Sequence, residues 1–259
     1  MKALVTGIAG FIGSHLGTAL LDAGNEVVGI DCFTDYYERT IKERNLSSLT
    51  VRKGFQFVES PIQSAPLSDL LKDIDQVFHL AAQAGVRKSW GQSFGTYTVN
   101  NIEATQQLLE ACVQSKIKRL IYASSSSVYG DNVSIPMKEN VQLQPVSPYG
   151  VTKLAAEQLC YLYHVNHGVP SVSLRYFTVY GPRQRPDMAF HRFLTAVLEN
   201  RPVTLYGDGN QTRDFTFVSD AVAATLVAGE QGEPGRVYNI GGGSRISINN
   251  VLKMIGNIS

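Results

Sequence analysis

Tyr149 and Lys153 stand four residues apart in the string YGVTK, a spacing that puts both side chains on one face of a helix. An ammonium beside a phenol stabilises the phenolate and would bring tyrosine down from its reference pKa of about 10 toward working pH. A tyrosine tuned in this way can take the proton from an alcohol while hydride leaves the same carbon. Such a pair alone is common by chance, so its surroundings decide its meaning. Twenty-four residues upstream of Tyr149 lies Ser125, inside SSSSVYG at 124–130. These four serines directly follow RLIYA (119–123), an apolar run of the kind that forms a buried strand. Hydroxyls at the carboxyl end of a core strand stand where open α/β sheets bind ligands.

The elements that would position these groups can be read from periodicity. Short β-branched runs at 2–6, 26–31, 56–59, 76–81, 119–124 and 172–177 alternate with helical patterns near 11–23, 66–72, 98–115 and 149–167. Strands apolar on both faces, alternating with helices, predict an α/β fold: a Rossmann-like, doubly wound parallel sheet covered on both sides. Past residue 177 the rhythm breaks into Gly- and Pro-punctuated segments such as YGPRQRP and YGDGNQTRD, followed by RVYNIGGG (236–243), which reads as one more strand. The expected division is a dinucleotide-binding domain over 1–176, with 214–240 returning to it. A smaller C-terminal substrate-binding part takes 177–213 and 241–259.

The first strand runs into TGIAGFIG, with Gly7, Gly10 and Gly13 ahead of a helix, and the second strand ends at Asp31. Glycines there allow a tight turn, close backbone approach to a pyrophosphate, and close packing of helix on strand. The helix start offers free N–H groups to phosphate, and the Asp31 carboxylate suits the two ribose hydroxyls. It would repel a 2′-phosphate, so NAD is the expected cofactor rather than NADP.

Composition sets the outer bounds. The chain has 259 residues, 44% of them apolar and 17% charged; 23 basic residues against 22 acidic give a net charge of +1. A near-neutral surface argues against nucleic acid as a partner. The N-terminal stretch is too short and too broken by glycine for a signal peptide or membrane span. Cys32, Cys112 and Cys160 are odd in number and far apart, which suits a reducing compartment and a cytoplasmic location. No metal-ligand spacing is present, and His79 reads as a packed strand-end residue.

Taken in order, TGIAGFIG (6–13), HLAAQAGVR (79–87), SSSSVYG, YGVTK, RYFTVYGPRQRP (175–186) and RDFTFV (213–218) resemble the extended short-chain dehydrogenase/reductases, specifically their nucleotide-sugar 4-epimerases. The resemblance covers essentially the whole chain. It implies Ser125, Tyr149 and Lys153 as catalytic residues. It implies a cofactor site built from Gly7, Gly10, Phe11, Ile12, Gly13, Asp31, Leu80, Ala81, Ala82, Tyr149, Lys153 and Tyr176. Substrate contacts would come from Arg87, Ser126, Ser127, Thr178, Arg185, Arg192 and Arg213, with Arg213 and Arg192 on the diphosphate. The VTLYGDG segment would pass along uracil, and Trp90 would shape the rim of the sugar pocket.

Similar 4,6-dehydratases carry an Asp-Glu pair at the positions of Ser126 and Ser127, and similar decarboxylases carry a glutamate at the second; here both are serine. That leaves oxidation at C4, rotation of the keto sugar and return of hydride to its other face. Thr178, GPRQRPDMA and DCFTDYYERTIKERNL (31–46) are similar to UDP-glucuronate 4-epimerases. A C6 carboxylate needs hydroxyl or guanidinium donors, which Ser126, Ser127, Thr178 and Arg185 can supply. A neutral UDP-hexose 4-epimerase and a non-catalytic NAD-binding module are the competing readings. The resemblance also implies a homodimer through the helices at 98–115 and 149–167. Two features depart from it. VESPIQS (58–64) puts Ser60 and Ile62 where relatives carry an adenine-reading acid, and relatives run several tens of residues beyond KMIGNIS, so the sugar-side part is expected to be shortened.

Overall fold

Seven strands form one sheet in the computed structural model, which describes residues 1–257. They are β1 (Lys2–Thr6), β2 (Glu26–Asp31), β3 (Phe55–Glu59), β4 (Gln76–His79), β5 (Arg119–Ser125), β6 (Ser171–Tyr176) and, from late in the chain, Val237–Ile240. Their spatial order is β3-β2-β1-β4-β5-β6 with Val237–Ile240 on the far edge, and all six neighbour pairs are parallel. The chain leaves β1 toward one edge and returns to build toward the other, so the switch point lies between β1 and β4. This is the Rossmann-like sheet the strand pattern predicts, and the edge strand is the RVYNIGGG segment.

Helices cover both faces. One core layer joins Ile8, Phe11, Leu16 and Leu20 to Leu49, Val218, Ala221 and Val222. Ile8 comes from the turn after β1 and the others from α1 (Phe11–Asp22), α2 (Arg39–Thr50) and the later helix Val218–Gln231. The opposite layer packs α3 (Leu67–Leu70), α5 (Ala104–Val113) and α6 (Pro148–His167) through Leu67, Leu108, Leu109, Ala156 and Cys160. The short α4 (Phe94–Tyr97) precedes α5.

Several boundaries differ from the periodicity. The 66–72 pattern yields only the four residues of α3. The 98–115 pattern is broken by a π-helical turn over Thr98–Glu103 before α5 begins. Asn101 lies within it: the buried amide accepts from the Gln83 N–H (2.7 Å) and donates to the Gln83 carbonyl (3.1 Å) and Thr152 Oγ1 (2.9 Å). A π turn accommodates one extra residue and re-aims a side chain, here toward the loop after β4.

The segments after 177 are more regular than their punctuation suggests. β7 (Thr178–Tyr180) runs parallel to β8 (Thr212–Phe217), and β10 (Arg245–Ser247) lies antiparallel on β8's other side. Here β9 denotes Val237–Ile240. With α7 (Ala189–Leu198) and α9 (Ile248–Gly256), this small sheet closes a third core of Phe193, Ile248, Val251 and Ile255. Between β8 and β9, α8 (Val218–Gln231) packs against α1 and the main sheet.

Candidate active site

The cleft lies beyond the carboxyl ends of β1, β2, β4, β5 and β6, faces the small sheet, and encloses about 1040 Å³. At its floor the β1–α1 turn carries the glycines. Gly7 has φ of +71°, and a Cβ there would come within 2.8 Å of the Ala81 amide nitrogen. A Cβ on Gly13 would meet the Gly7 carbonyl oxygen at 2.2 Å. Any side chain would therefore push the helix start away from the turn. Asp31, at the end of β2, accepts the Ala9 N–H on one oxygen (3.1 Å) and the Phe33 N–H on the other (3.0 Å). The carboxylate is thus fixed in orientation while keeping lone pairs free toward the cleft. A backbone that leaves room for phosphate beside an oriented carboxylate fits a dinucleotide, and Gly7, Gly10, Phe11, Ile12, Gly13, Asp31, Leu80, Ala81, Ala82 and Tyr176 all line the cleft. Ser60 and Ile62 line its far end.

β5 runs through Ser125, so the serine run is split. Ser124 and Ser125 finish the strand, and Ser126 and Ser127 open a 3-10 turn (Ser126–Val128) for which Ser125 is the cap, its Oγ accepting the Ser127 N–H at 3.1 Å. Opposite them, α6 starts cleanly: Ser147 Oγ accepts the Gly150 N–H (3.0 Å), Pro148 sits in the first turn, and Gly168 ends the helix in the left-handed region. Tyr149 therefore projects from the first turn, with Lys153 one turn on, and both line the cleft with Ser125.

The electrostatics add a residue to the expected group. Burial pushes the Tyr149 phenol above its ordinary value, and the Arg185 guanidinium and the Ser125 hydroxyl oppose this. The Lys153 ammonium lies 4.7 Å from the Tyr122 ring centroid. Burial lowers Lys153 to about 8, with Cys160 and Glu157 opposing. His79 is a packed residue, as expected: its ring is held between Thr6 Oγ1 (2.7 Å) and Thr105 Oγ1 (2.9 Å), and burial beside Lys153 lowers it to about 3.

On the small-sheet side, Thr178, Arg185, Arg192 and Arg213 line the cleft with Arg87, Ser126 and Ser127. Arg87 and Arg192 both face the Tyr206 ring, at 3.7 and 4.9 Å. Arg185 makes a two-bond pair with Asp187 (2.9 and 3.1 Å), and Tyr36 donates to the same carboxylate at 3.2 Å, joining the two lips of the cleft. Tyr36 and Asp187 are lining residues that sequence reasoning missed; DYY at 35–37 and the Asp two residues after Arg185 were the available signals. Tyr206 lies in the VTLYGDG segment expected along uracil. Trp90 does not shape the rim. It sits between two short 3-10 turns, is 62% exposed, and lies outside the lining. Among the described residues no group of His, Cys, Asp or Glu is placed to hold a metal, and no helix is long and apolar enough to cross a membrane.

A Rossmann-like sheet with a glycine turn, an oriented ribose-side carboxylate and a Ser-Tyr-Lys group defines a nucleotide-dependent enzyme of the short-chain dehydrogenase/reductase class. Within it, the NAD dependent epimerase/dehydratase family matches over residues 3–241, and the chain belongs to that family. It is 49% identical over 261 residues to the uncharacterized UDP-glucose epimerase YtcB of Bacillus subtilis (strain 168), covering 100% of this chain and 82% of that protein. To the UDP-glucuronate 4-epimerase of Thermodesulfobacterium geofontis it is 39% identical, covering 97% of this chain and 79% of the relative. Among solved structures, the UDP-glucuronic acid 4-epimerase of Bacillus cereus, in complex with UDP-glucuronic acid and NAD, superposes with a TM-score of 0.97 at 52% identity, over 100% of this chain and 83% of that one.

Proposed function

We propose that this chain is an NAD-dependent 4-epimerase that interconverts UDP-glucuronic acid and UDP-galacturonic acid through a transient 4-keto sugar. The observation that carries this reading is the meeting in one cleft of Ser125, Tyr149 and Lys153 with Ser126, Ser127, Thr178 and Arg185. Bound NAD would supply a reversible hydride acceptor for C4. The glycine turn and the first turn of α1 would hold its diphosphate, and Asp31 its ribose. Tyr149 removes the C4 hydroxyl proton and later returns it, with Ser125 sharing that proton's hydrogen bond. Arg185 lowers the cost of phenolate, and Lys153 adds an ammonium from the next turn of the same helix. Ser126, Ser127 and Thr178 present hydroxyls to the C6 carboxylate and Arg185 presents charge. Gripping that carboxylate matters because the keto intermediate is a β-keto acid, prone to lose carbon dioxide. Arg213 and Arg192 take the UDP diphosphate.

A second reading, a neutral UDP-hexose 4-epimerase, draws support from the Arg185–Asp187 pair, which already balances the arginine's charge. The test is proton NMR of UDP-glucuronic acid with NAD-loaded protein, beside UDP-glucose in a parallel tube. UDP-galacturonic acid in the first tube alone supports the uronate reading; conversion of UDP-glucose alone replaces it with the second. No turnover in either tube, with NAD still bound, would favour a binding module.

The proposed division assigns NAD to residues 1–176 with 214–240, and sugar binding to 177–213 and the chain from 241. We also place the protein in the cytoplasm as a homodimer. Tyr161, Leu162 and Val165, exposed along α6, provide the apolar face for pairing. A monomer mass in light scattering would remove the dimer.

A further inference from the structure

Ser124 is the member of the serine run that the reaction does not use. It is 3% exposed, and its Oγ donates to Glu157 Oε2 at 2.5 Å. Glu157 lies on α6 one turn beyond Lys153 and two beyond Tyr149, so the three share one face of the helix. It is equally buried, and Arg175 of β6 grips both its oxygens, Nη2 to Oε1 at 2.6 Å and Nε to Oε2 at 3.1 Å. Arg175 Nη1 then donates to the Tyr129 hydroxyl (2.9 Å), which donates to Asn239 Oδ1 of β9 (2.6 Å).

We propose that Glu157 is a positioning residue: with Ser124 and Arg175 it locks the helix carrying Tyr149 and Lys153 to the strand end carrying Ser125, and it supplies the anion behind Lys153. This rests on the epimerase reading for its catalytic meaning, but not for its geometry. One carboxylate reaches both sides of the reacting group. Ser124 is the residue before Ser125, and Glu157 is two turns from Tyr149 on the same helix. Any slip between β5 and α6 would separate the Ser125 and Tyr149 hydroxyls, and near-attack geometry tolerates little slip. A buried ion pair is weak evidence for stability alone, since apolar replacements often do as well. A bidentate pair that also takes a serine hydroxyl specifies register.

The groups facing Lys153 are Glu157 and Cys160 on its own helix, Tyr122 on β5 and His79 on β4, with Arg175 of β6 behind Glu157. Two variants act on it with opposite sign. Glu157→Gln removes the anion and unmasks Arg175, so Lys153 should lose its proton at a pH lower by about one unit. Ser124→Ala keeps the ion pair but takes away the hydroxyl that partly quenches Glu157, so Lys153 should hold its proton several tenths of a unit higher.

The experiment is NMR titration of isotope-labelled lysine side chains in the NAD-loaded full chain. The Lys153 signal is identified by its loss in Lys153→Met. Opposite shifts in the two variants support the proposal, and this readout stands whether or not the sugar assignment holds. Ser124→Ala also covers the case in which Glu157→Gln does not fold. In the turnover assay Ser124→Ala should lower kcat at least about fivefold with KM unchanged. Titration curves within about 0.2 unit of the unmodified chain would overturn the proposal and reduce the network to a packing device.

Discussion

Replacing Gly13 by alanine tests whether the β1–α1 turn is shaped for a diphosphate. The new methyl would lie 2.2 Å from the Gly7 carbonyl oxygen and 2.9 Å from its carbon, while ordinary contact begins at 3.4 Å. Both atoms are backbone, so no rotamer relieves the clash; the turn and the first turn of α1 must separate by roughly 1 Å. The N–H groups that face the cleft move with them. Losing one or two charge-assisted hydrogen bonds and part of the helix-end field should cost about 2–4 kcal/mol of NAD binding, roughly 30- to 1000-fold in Kd. Overpacking should add about 1–3 kcal/mol of lost stability. Calorimetric titration with NAD and thermal melts with and without it measure both. Gly95→Ala is the control, because a Cβ there meets nothing within 4 Å. If Gly13→Ala bound NAD within about threefold of the unmodified chain, the cradle argument would be refuted, since loss by this size of clash is its direct consequence.

Arg185→Met removes a guanidinium facing Tyr149, so the ratio of kcat/KM for UDP-glucuronic acid over UDP-glucose should fall by roughly 10- to 150-fold; equal losses on both sugars would deny it a role in selecting the carboxylate. Lys153, lowered by burial to about 8, is an ammonium below that pH and neutral above it, so kcat should decline as pH rises through about 8. A profile flat to pH 10 would show that the charge is not needed. Arg175→Met leaves Glu157 buried without its cation and should destabilise the fold by about 3–5 kcal/mol in urea denaturation.

The cofactor half was legible because its signals are local. β1, TGIAGFIG, α1 and Asp31 lie within thirty-one residues, and each obeys a rule of strand, turn or helix chemistry. α2 was not read as a helix because RTIKERNLSSLT buries Lys42 and Asn45 as well as Leu46 and Leu49, so its apolar face is half polar. Asn45 is tolerated there because its amide donates to the Ala9 carbonyl, which nothing in the local pattern reveals. β7, β8 and β10 escaped for a related reason: three to six residues each, they draw their stability from one another across dozens of positions. In the site, residue identity carried the assignments of Ser125, Tyr149 and Lys153. It did not reveal how deep the Tyr149 phenol lies, nor that Arg185 arrives beside it from another part of the chain. Tyr36 and Asp187, 151 residues apart, meet only in the folded cleft.

The split in the serine run has a consequence for how such a catalyst can change. Ser124 is bolted into the frame, Ser125 ends the strand at the cleft, and Ser126 and Ser127 line the cleft from a turn that follows the strand. On the proposed function, frame, common step and choice of outcome would thus occupy consecutive positions in one heptapeptide. A new reaction could then be written into Ser126 and Ser127 while Ser124 and Ser125 stay untouched, with neither a new scaffold nor a new way of starting the chemistry.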